Sequence, residues 1–544
     1  SSDLVEAVGA GVVGEGDEVG ARVTIKGTDL VAFTDDSGTY RLDRVPGPTA
    51  LLEVFYTGLQ PQQIPVTLSG RALIEQDVNL AVATAPSARA NDVVKLGSFV
   101  VSDTRETNGS AIAINEQRFA ANMVNVVSAD EFGLVPDGNI GEFLKLLPGI
   151  TMSYRGGDPR EISMDGVSSA NVPVTVGGFS LATPEVSGTG RNVELNSVSI
   201  NNTARVEASF SPTPESPGSA LAGTVNLVPR SAFERTKPLF NYSVSALMRD
   251  NHKSLRTTPG PRGHATNKIR PGADFSYSAP VSKSFGYTVS AGSASQFSPQ
   301  DTPVALWRGA SAITNGVAFP HTTPDKPYLW STIIRNSGKD TNRSSFGVTA
   351  DYKFTPRDRV ALSFTYSTFD VRINHNELTF DVGRVNPGDF SLDFTRGAAG
   401  QGTLQLVTMG NSRQNWTVMP SIVWRHDGPI WKLDSGFAYS RAANRNRNVE
   451  SGFFDTTTSR RTGVTVSFAD IFYLRPNTIT VTDAAGAPVD PYALKNYVLT
   501  AAGGNTRSTD DYKRTLYANA RRDFFGPVPL SLRAGVDFRQ AERD

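Results

Sequence analysis

The feature that most constrains the fold of this 544-residue chain is a series of segments in its C-terminal half that alternate apolar and polar side chains. Phe346, Val348 and Tyr352, for example, would share one face of a strand, while Thr349 and Asp351 would share the other. Alternation with a period of two is the pattern of a β-strand with one apolar face. About nine such segments occur, namely Phe240–Leu247, Ala273–Ala279, Phe285–Ala291, Phe346–Phe354, Val360–Ser367, Trp416–Trp424, Trp431–Tyr439, Leu516–Phe524 and Leu530–Phe538.

The connections between these segments are alternately short and long. The short ones, of about five residues each, are Val281–Ser284, Thr355–Arg359, His426–Ile430 and Phe525–Pro529. The long ones, of about 20 to 70 residues each, lie near 251–270, 298–342, 371–413 and 444–512. Outer-membrane barrels have short periplasmic turns and longer outside loops, whereas a soluble sandwich gives no reason for this alternation. Residues 237–544 are therefore predicted to be part of an antiparallel transmembrane β-barrel.

About nine strands are too few to close a barrel around another domain. An open sheet edge cannot face lipid, and barrels that hold a plug have about 22 strands. We therefore expect a mainly β protein containing the first part of a 22-stranded barrel, truncated at its C-terminus.

Residues 92–236 contain four motifs in a fixed order. Ile140–Ile150 reads IGEFLKLLPGI, Ile162–Val167 reads ISMDGV after Tyr154-Arg-Gly156, Ala204–Glu207 reads ARVE, and Gly218–Val228 reads GSALAGTVNLV. Together they resemble the plug domain of TonB-dependent outer-membrane receptors, an α+β domain held inside the barrel. Pro148 and Gly149 are a stop signal for a helix over Asn139–Leu147. The Pro-rich stretch Ser209–Pro217 departs from the family pattern.

The resemblance implies roles for individual residues. By this resemblance, the start of the region contains or lies beside the TonB box, with candidate residues Asp92, Val93, Val94, Lys95, Leu96, Phe99, Val100 and Val101. The same segment is equally well interpreted as the first strand of the plug. Arg155 and Glu207 match charged plug positions that hold the plug in the barrel, with a solvated surface charge as the alternative. Asp165 and Gly166 are interpreted as a structural turn.

Residues 1–83 contain short alternating runs separated by turn signals, which predicts a small β-sandwich. Their pattern, GARVTIKGTD followed by TDDSGTYRLDRVPGP, resembles the carboxypeptidase regulatory-like (transthyretin-like) domain that often precedes the plug in SusC-like and related receptors. Asp35 and Asp36 are read as part of a hairpin turn, with calcium ligation as the alternative. Residues 84–91 are interpreted as a linker.

Composition excludes several classes of protein. Lys and Arg together number 53, as do Asp and Glu, so the chain lacks the basic excess of a nucleic-acid-binding protein. It has no cysteine, which excludes disulfides and thiolate metal sites. The five histidines, at 252, 264, 321, 375 and 426, have no ligand-like spacing. We therefore expect no enzyme, no metal site and no cofactor.

The family resemblance implies a receptor in the bacterial outer membrane, with its N-terminal domain in the periplasm. It would import a scarce ligand, such as a glycan, a peptide or a metal chelate, by energy-coupled rearrangement of the plug. Its expected partners are the TonB–ExbB–ExbD complex, outer-membrane lipid and a small extracellular ligand, and a surface lipoprotein is a further candidate. The alternative is a non-transporting adhesin or carbohydrate-binding β-protein at the cell surface.

Overall fold

The computed structural model describes two parts of the chain. In the N-terminal part it describes residues 5–9, 13–14, 16–17, 21–28, 30–34, 40–45, 48–56, 59–67, 76–78 and 80. The second part is 112–544, without 115, 119, 121, 130–134, 136–137, 156, 185–192, 196–197, 214–215, 235–236, 251–257, 260–264, 309–326, 429, 474 and 526–528. The predicted linker 84–91 and the pair Asp35 and Asp36 lie outside the described residues. Among the described helices, none is long and apolar enough to cross a membrane.

The N-terminal unit is built from eight short strands. These are β1 Val5–Gly9, β2 Val13–Gly14, β3 Gly16–Asp17, β4 Arg22–Ile25, β5 Val31–Phe33, β6 Tyr40–Val45, β7 Thr49–Phe55 and β8 Gln62–Thr67. A four-stranded sheet has the order β5-β4-β7-β8, and β1 pairs with β6. One apolar cluster joins the two sheets, since Val23 and Val54 come from the first and Tyr40 and Leu42 from the second. Two sheets around one core are the arrangement of a β-sandwich.

A central unit follows, and its described elements include one helix and seven strands. These are β9 Val124–Ser128, α1 Ile140–Leu144, β10 Ile150–Arg155, β11 Asp158–Met164, β12 Val174–Val176, β13 Phe179–Ser180, β14 Thr203–Ser209 and β15 Thr224–Pro229. Five strands form a sheet in the order β13-β12-β15-β14-β9, while β10 and β11 form a separate hairpin. The side chain of Asn139 caps α1 by accepting a hydrogen bond from Gly141 N at 2.9 Å. The helix and hairpin pack closely, because a Cβ at Gly141 would lie 2.9 Å from Pro159 Cβ.

The remaining strands form one large antiparallel sheet, apart from the short hairpin of β17 Thr258–Pro259 and β18 Ala265–Thr266. Nine strands lie on its main path. In path order they are β16 Leu239–Leu247, β19 Arg270–Pro280, β20 Phe285–Arg308, β21 Tyr328–Thr355, β22 Asp358–Asp381, β24 Gly402–Asp427, β25 Trp431–Asn446, β29 Ser508–Phe525 and β30 Pro529–Arg543. Each of the predicted strands falls within one of these, so the strand prediction is confirmed.

The strands are longer than expected, and parts of several predicted loops are also strand. β20 and β21 continue as a ladder up to the pairing of Arg308 with Tyr328, far into the predicted connection 298–342. The connection 444–512 contains three further strands, and a fourth precedes β24; they are β23 Thr395–Arg396, β26 Thr456–Phe472, β27 Arg475–Asp483 and β28 Val498–Gly503. β26 pairs with residues 402–409 of β24, and residues 413–427 of β24 pair with β25. These extensions share an apolar core that includes Tyr328, Phe380 and Phe468.

The two faces of the large sheet differ. Large apolar side chains are exposed on one face, including Phe346, Tyr352, Leu362, Phe364, Leu516, Val536 and Phe538. The other face contacts the central unit from strands near both ends of the path. Arg249, just after β16, donates to Gly157 O at 2.7 Å, and Arg539 on β30 donates to Ser180 Oγ at 3.1 Å. The sheet therefore curves around the central unit as a partial barrel.

Candidate functional site

The interface between the central unit and the large sheet is the candidate functional site, and its first contact is a pair of asparagines. Asn201 and Asn202 lie in the turn before β14. Asn201 Nδ2 is 3.5 Å from Ser345 Oγ on β21. Asn202 Nδ2 donates to Phe346 O at 3.4 Å, and its Oδ1 accepts from Ser290 Oγ on β20 at 2.5 Å. The turn is thereby bonded to two adjacent strands of the sheet.

Two glycines of the sheet make room for these asparagines. A Cβ at Gly292 would overlap the Asn201 amide, and a Cβ at Gly347 would overlap the Asn202 amide. Glycine within a strand interior is unfavourable unless close approach requires it. The close approach of the turn to the large antiparallel sheet, which is called the wall from here on, therefore explains the two glycines.

A second contact surrounds a fully buried carboxylate near the C-terminal end of β21. Asp351 on β21 accepts from Ser231 Oγ at 2.9 Å and from Ala232 N at 3.2 Å. Arg359 on β22 donates to the same carboxylate at 2.7 Å and to Ser231 Oγ at 2.8 Å. Its guanidinium also lies 5.3 Å from the ring centre of Phe233. A buried carboxylate with these partners fixes the segment that leaves the central unit.

A third contact lies on the segment after β13. The amides of Ala182 and Thr183 donate to Ser440 Oγ on β25 at 3.0 Å and to Asp511 Oδ2 on β29 at 2.9 Å. Both backbone donors are buried, so the side chains of the sheet satisfy groups that would otherwise be costly to bury.

The apolar core of the central unit continues into the sheet at the same place. Met419 on β24 and Ala438 on β25 belong to the buried cluster that also contains Leu195. The rings of Phe179 and Tyr517 lie 5.5 Å apart between their centres. Burial of these groups stabilises the attachment of the central unit to the wall.

The fourth contact is an ion cluster at the tip of the β10–β11 hairpin. Asp158 is buried and forms an ion pair with Lys339 on β21. Arg343 Nη2 and Arg249 Nη2 lie 3.6 Å and 3.8 Å from Asp158 Oδ1. Burial opposes ionisation of Asp158, but Arg343 and Lys339 outweigh it and hold the pKa of this carboxyl below its usual range.

The sequence of residues 116–224 identifies the central unit. Residues 116–224 match the family model described as the TonB-dependent receptor plug domain. This chain carries the plug domain of a TonB-dependent receptor. The resemblance found in the sequence motifs is thereby confirmed. The matched family is one of receptors, in agreement with the expectation that the chain is not an enzyme.

Solved receptor structures are similar to the chain at low identity. A ferric enterobactin receptor of Pseudomonas aeruginosa in complex with enterobactin has 11% identity and a TM-score of 0.33, with 75% of this chain and 63% of that chain covered. The ferric-catecholate import receptor Fiu of E. coli has 13% identity and a TM-score of 0.35, with 78% and 63% covered. The outer membrane transporter YddB of Escherichia coli has 12% identity and a TM-score of 0.27, with 77% and 57% covered. The chain thus spans less than two thirds of the length of each structure. No curated protein sequence matches it.

Three carboxylates surround one arginine at the side of the plug where the chain enters and leaves it, which is called the underside from here on. Arg205 on β14 lies 2.7 Å from Glu116, 3.4 Å from Glu207 and 2.8 Å from Glu234. Burial, opposed by Arg205 and assisted by Glu207, raises the pKa of Glu116 to about 7. The arginine joins the helical segment that enters the plug, a central strand of the plug and the segment that leaves it.

The predicted site residues fall at different places in this arrangement. The box candidates Asp92, Val93, Val94, Lys95, Leu96, Phe99, Val100 and Val101 lie outside the described residues. Arg155 pairs through its backbone with Asp158 at the hairpin tip, and its side chain also lies outside the described part. Glu207 accepts from Asn226 Nδ2 at 2.9 Å, within the plug, and faces the cavity that the plug shares with Arg425 and Arg533 of the wall. Its role in plug–barrel contact stays a prediction.

Asp165 and Gly166 occupy the two central positions of a tight turn. Both have positive φ, 48° and 80° respectively. Met164 and Val167 exchange backbone hydrogen bonds of 3.2 Å and 2.9 Å across it. An Asp-Gly pair suits two consecutive positive φ values because glycine has no Cβ penalty there.

Sequence reasoning missed the residues that attach the plug to the wall. Asp158 and Lys339 are 181 positions apart, and no local pattern in one sequence connects them. Asp351 did carry a weak signal, because it is a charged residue on the inward face of a predicted strand. Such a residue must find a partner inside the barrel.

Proposed function

We propose that this protein is an outer-membrane, TonB-dependent transporter that imports a scarce ligand into the periplasm. The observation that carries the proposal is the attachment of the plug to one face of a sheet whose other face exposes large apolar side chains. A sheet with that outer face is suited to lipid, and its inner face is suited to an enclosed lumen. A plug in the lumen must rearrange before a solute can pass.

The physical character of the plug's attachment supports such rearrangement. Its bonds to the wall are mostly individual hydrogen bonds and ion pairs, contributed by turns at the four contacts described above. Each contributes on the order of 1 kcal/mol net, and somewhat more where a charge is involved. A force applied at one end of the plug would break them one after another rather than all at once.

TonB is the proposed source of that force, acting through the segment that contains Asp92–Val101. A flexible apolar segment can add as an edge strand to a partner's sheet through main-chain hydrogen bonds. This segment precedes the helical residues that hold Glu116 near Arg205, so tension on it would reach the underside of the plug first. In this proposal residues 1–83 lie in the periplasm as a transthyretin-like domain.

The ligand class is proposed as a glycan, a peptide or a metal chelate. The similar receptors named above include proteins described as binding or importing ferric enterobactin and ferric catecholates. A domain resembling residues 1–83 favours a glycan or peptide instead. Uptake assays with these three classes distinguish them.

The proposal is tested by deleting residues 92–101 in cells that produce the full-length protein. The deletion should abolish ligand uptake and leave ligand binding at the cell surface unchanged, because the outer face of the plug and the wall remain intact. Deletion of the predicted linker, residues 84–91, is the control and should retain uptake. Uptake that survives removal of 92–101 would show that energy coupling does not pass through this segment.

A further inference from the structure

The outward face of the wall carries an arginine close to one of its short turns. Arg522 on β29 lies three residues before Phe525, where the strand ends. Its cross-strand neighbours are Trp431 on β25 and Leu532 on β30. Both neighbours are exposed on the apolar face of the sheet, and so is Arg522. A cation therefore stands in the face that is proposed to meet lipid.

Two aromatic rings hold the guanidinium of Arg522 in place. Its central carbon lies 5.2 Å from the ring centre of Trp431 and 4.7 Å from that of Phe524. Contacts of this kind attract a cation to the face of an aromatic ring. The N–H groups of a guanidinium point outward in its plane, so they can donate to an anion while the rings hold the charged group.

Arg441 on β25 shows how the same arrangement is completed elsewhere in the wall. Its guanidinium carbon lies 5.0 Å and 5.2 Å from the ring centres of Trp416 and Tyr512. It also has an anion, because its Nη2 donates to Asp510 Oδ1 at 3.0 Å. Among the described side chains, by contrast, no carboxylate lies within 4.0 Å of the Arg522 nitrogens. The protein thus supplies an anion to Arg441, whereas no described side chain supplies one to Arg522.

The depth of Arg522 in the membrane indicates which molecule supplies its anion. A barrel strand crosses the bilayer in about 9–11 residues, and Arg522 is three residues from the end of β29. It therefore lies near the membrane–water interface rather than at the midplane, where a charged side chain is far more costly. The phosphates of phospholipid headgroups lie at that interface, and tryptophan rings such as Trp431 prefer it.

We propose that Arg522, Trp431 and Phe524 form a binding site for the headgroup phosphate of a membrane phospholipid, on the side of the short turns. The phosphate accepts hydrogen bonds from the guanidinium, whose planar set of donors matches phosphate oxygens. The acyl chains of the lipid lie against exposed apolar side chains of β30, namely Leu532 and Val536. The site rests on the proposed membrane location of the wall, but it involves neither TonB nor the imported ligand.

The test attaches one fluorophore beside the site, which is possible because the chain has no cysteine. Leu532→Cys, directly across from Arg522, carries the fluorophore in the full-length protein, in micelles of an uncharged maltoside detergent. Two quenching lipids with the same nitroxide-labelled acyl chain are compared, namely phosphatidylglycerol and a galactosyl diacylglycerol, which has no phosphate. Half-quenching should need at least about tenfold less phosphatidylglycerol, because a hydrogen bond to a charged group contributes about one such factor.

Two further proteins localise this preference to Arg522. Arg522→Gln, combined with the Leu532→Cys label, should be quenched by the two lipids at equal concentrations. The same label at Leu362→Cys, another exposed leucine on the outward face near a short turn, should show no preference in the protein that keeps Arg522. The comparison of the two label positions needs no change at Arg522, so it stays decisive if Arg522→Gln fails to fold.

Equal quenching by the two lipids at the Leu532→Cys label would overturn the site, and so would an unchanged preference in Arg522→Gln. Inorganic phosphate, compared with chloride at equal ionic strength, should leave the preference intact. Loss of the preference in phosphate would assign the site to a free anion and overturn its assignment to a lipid. A wall that does not face lipid would instead leave both label positions unquenched by either lipid, so failure of the proposed membrane location is a separate outcome.

Discussion

At the scale of single residues, small side chains decide how closely the plug approaches the wall. Gly347 faces Asn202, Gly292 faces Asn201, and Gly286 lies against Ala232, where an added Cβ would be 2.7 Å from the alanine Cβ. Three different wall glycines thus sit opposite plug residues. Their effect is to let polar plug side chains reach backbone and hydroxyl groups of the strands, as Asn202 does with Phe346 O.

Gly347→Ala should weaken this attachment. The new methyl group would displace the Asn202 amide and remove its bonds to Ser290 and Phe346. Overpacking of this kind costs about 1–3 kcal/mol, so the purified protein should unfold at a lower temperature and residues 199–202 should exchange faster. Gly503→Ala is the control, since an added Cβ there meets no atom within 4 Å. Equal unfolding temperatures for the two variants would contradict the role of the close approach.

At the scale of elements, the helical residues 112–114 and 116–118 are held to the plug by a group that titrates near neutrality. Burial is the main cause that raises the pKa of Glu116 from 4.5 to about 7. The docked segment therefore binds a proton more tightly than the undocked one. Docking is strongest below about pH 4.5 and weakens as the pH rises through about 7. Arg205, Glu207 and Glu234 are the charged groups that face it.

The protection of residues 112–114 and 116–118 against hydrogen exchange should accordingly fall as the pH rises from about 4.5 to about 7 and level off above that. Protection factors are the measurement, because they correct for the intrinsic pH dependence of exchange. Glu116→Gln keeps the shape of the side chain and removes the titration, so its protection should not change over this range. If the variant loses protection as steeply as the wild type, another group controls docking.

The elements also show what a single sequence reveals about this fold. The nine strands of the main path are visible because their outward faces are apolar where they would meet lipid, as Phe364 and Tyr366 are on β22. Further up the same strand the outward positions become polar at Asp370 and Arg372, so the period-two pattern ends although the strand continues to Asp381. The pattern reports the lipid-facing part of a strand rather than its full length.

β26 was missed for a related reason. Its first half reads TTTSRRTG, which has no apolar face. Its buried residues Val464, Val466 and Phe468 become a core only together with residues that are distant in sequence, such as Phe380 and Leu404. Local patterns identified two parts of the plug for the opposite reason, since a cap at Asn139 and a turn at Gly166 are encoded locally.

At the scale of the whole molecule, the account rests on the sheet having one face toward lipid and one toward the plug. The cross-strand register shows which side chains are expected on each face. Val348 pairs with Phe364 and Ala350 with Leu362 on the outward face, whereas Thr349 pairs with Ser363 on the inward face. A slip of one residue would exchange the two faces completely.

The chain has no cysteine, so a single cysteine introduced at any position is a unique attachment point for a spin label. The most direct measurement places one spin label at a time within residues 346–352 of the full-length protein in lipid vesicles. For each label, the collision rate with oxygen, which concentrates in lipid, is compared with the collision rate with a water-soluble nickel complex. Labels at 346, 348, 350 and 352 should favour oxygen, and the label at 349, which lines the cavity beside the plug, should be shielded from it. Positions 347 and 351 stay unlabelled because Gly347 lies against Asn202 and Asp351 is a buried contact with the plug. Equal accessibility to the nickel complex on both faces would contradict a membrane wall around a plug.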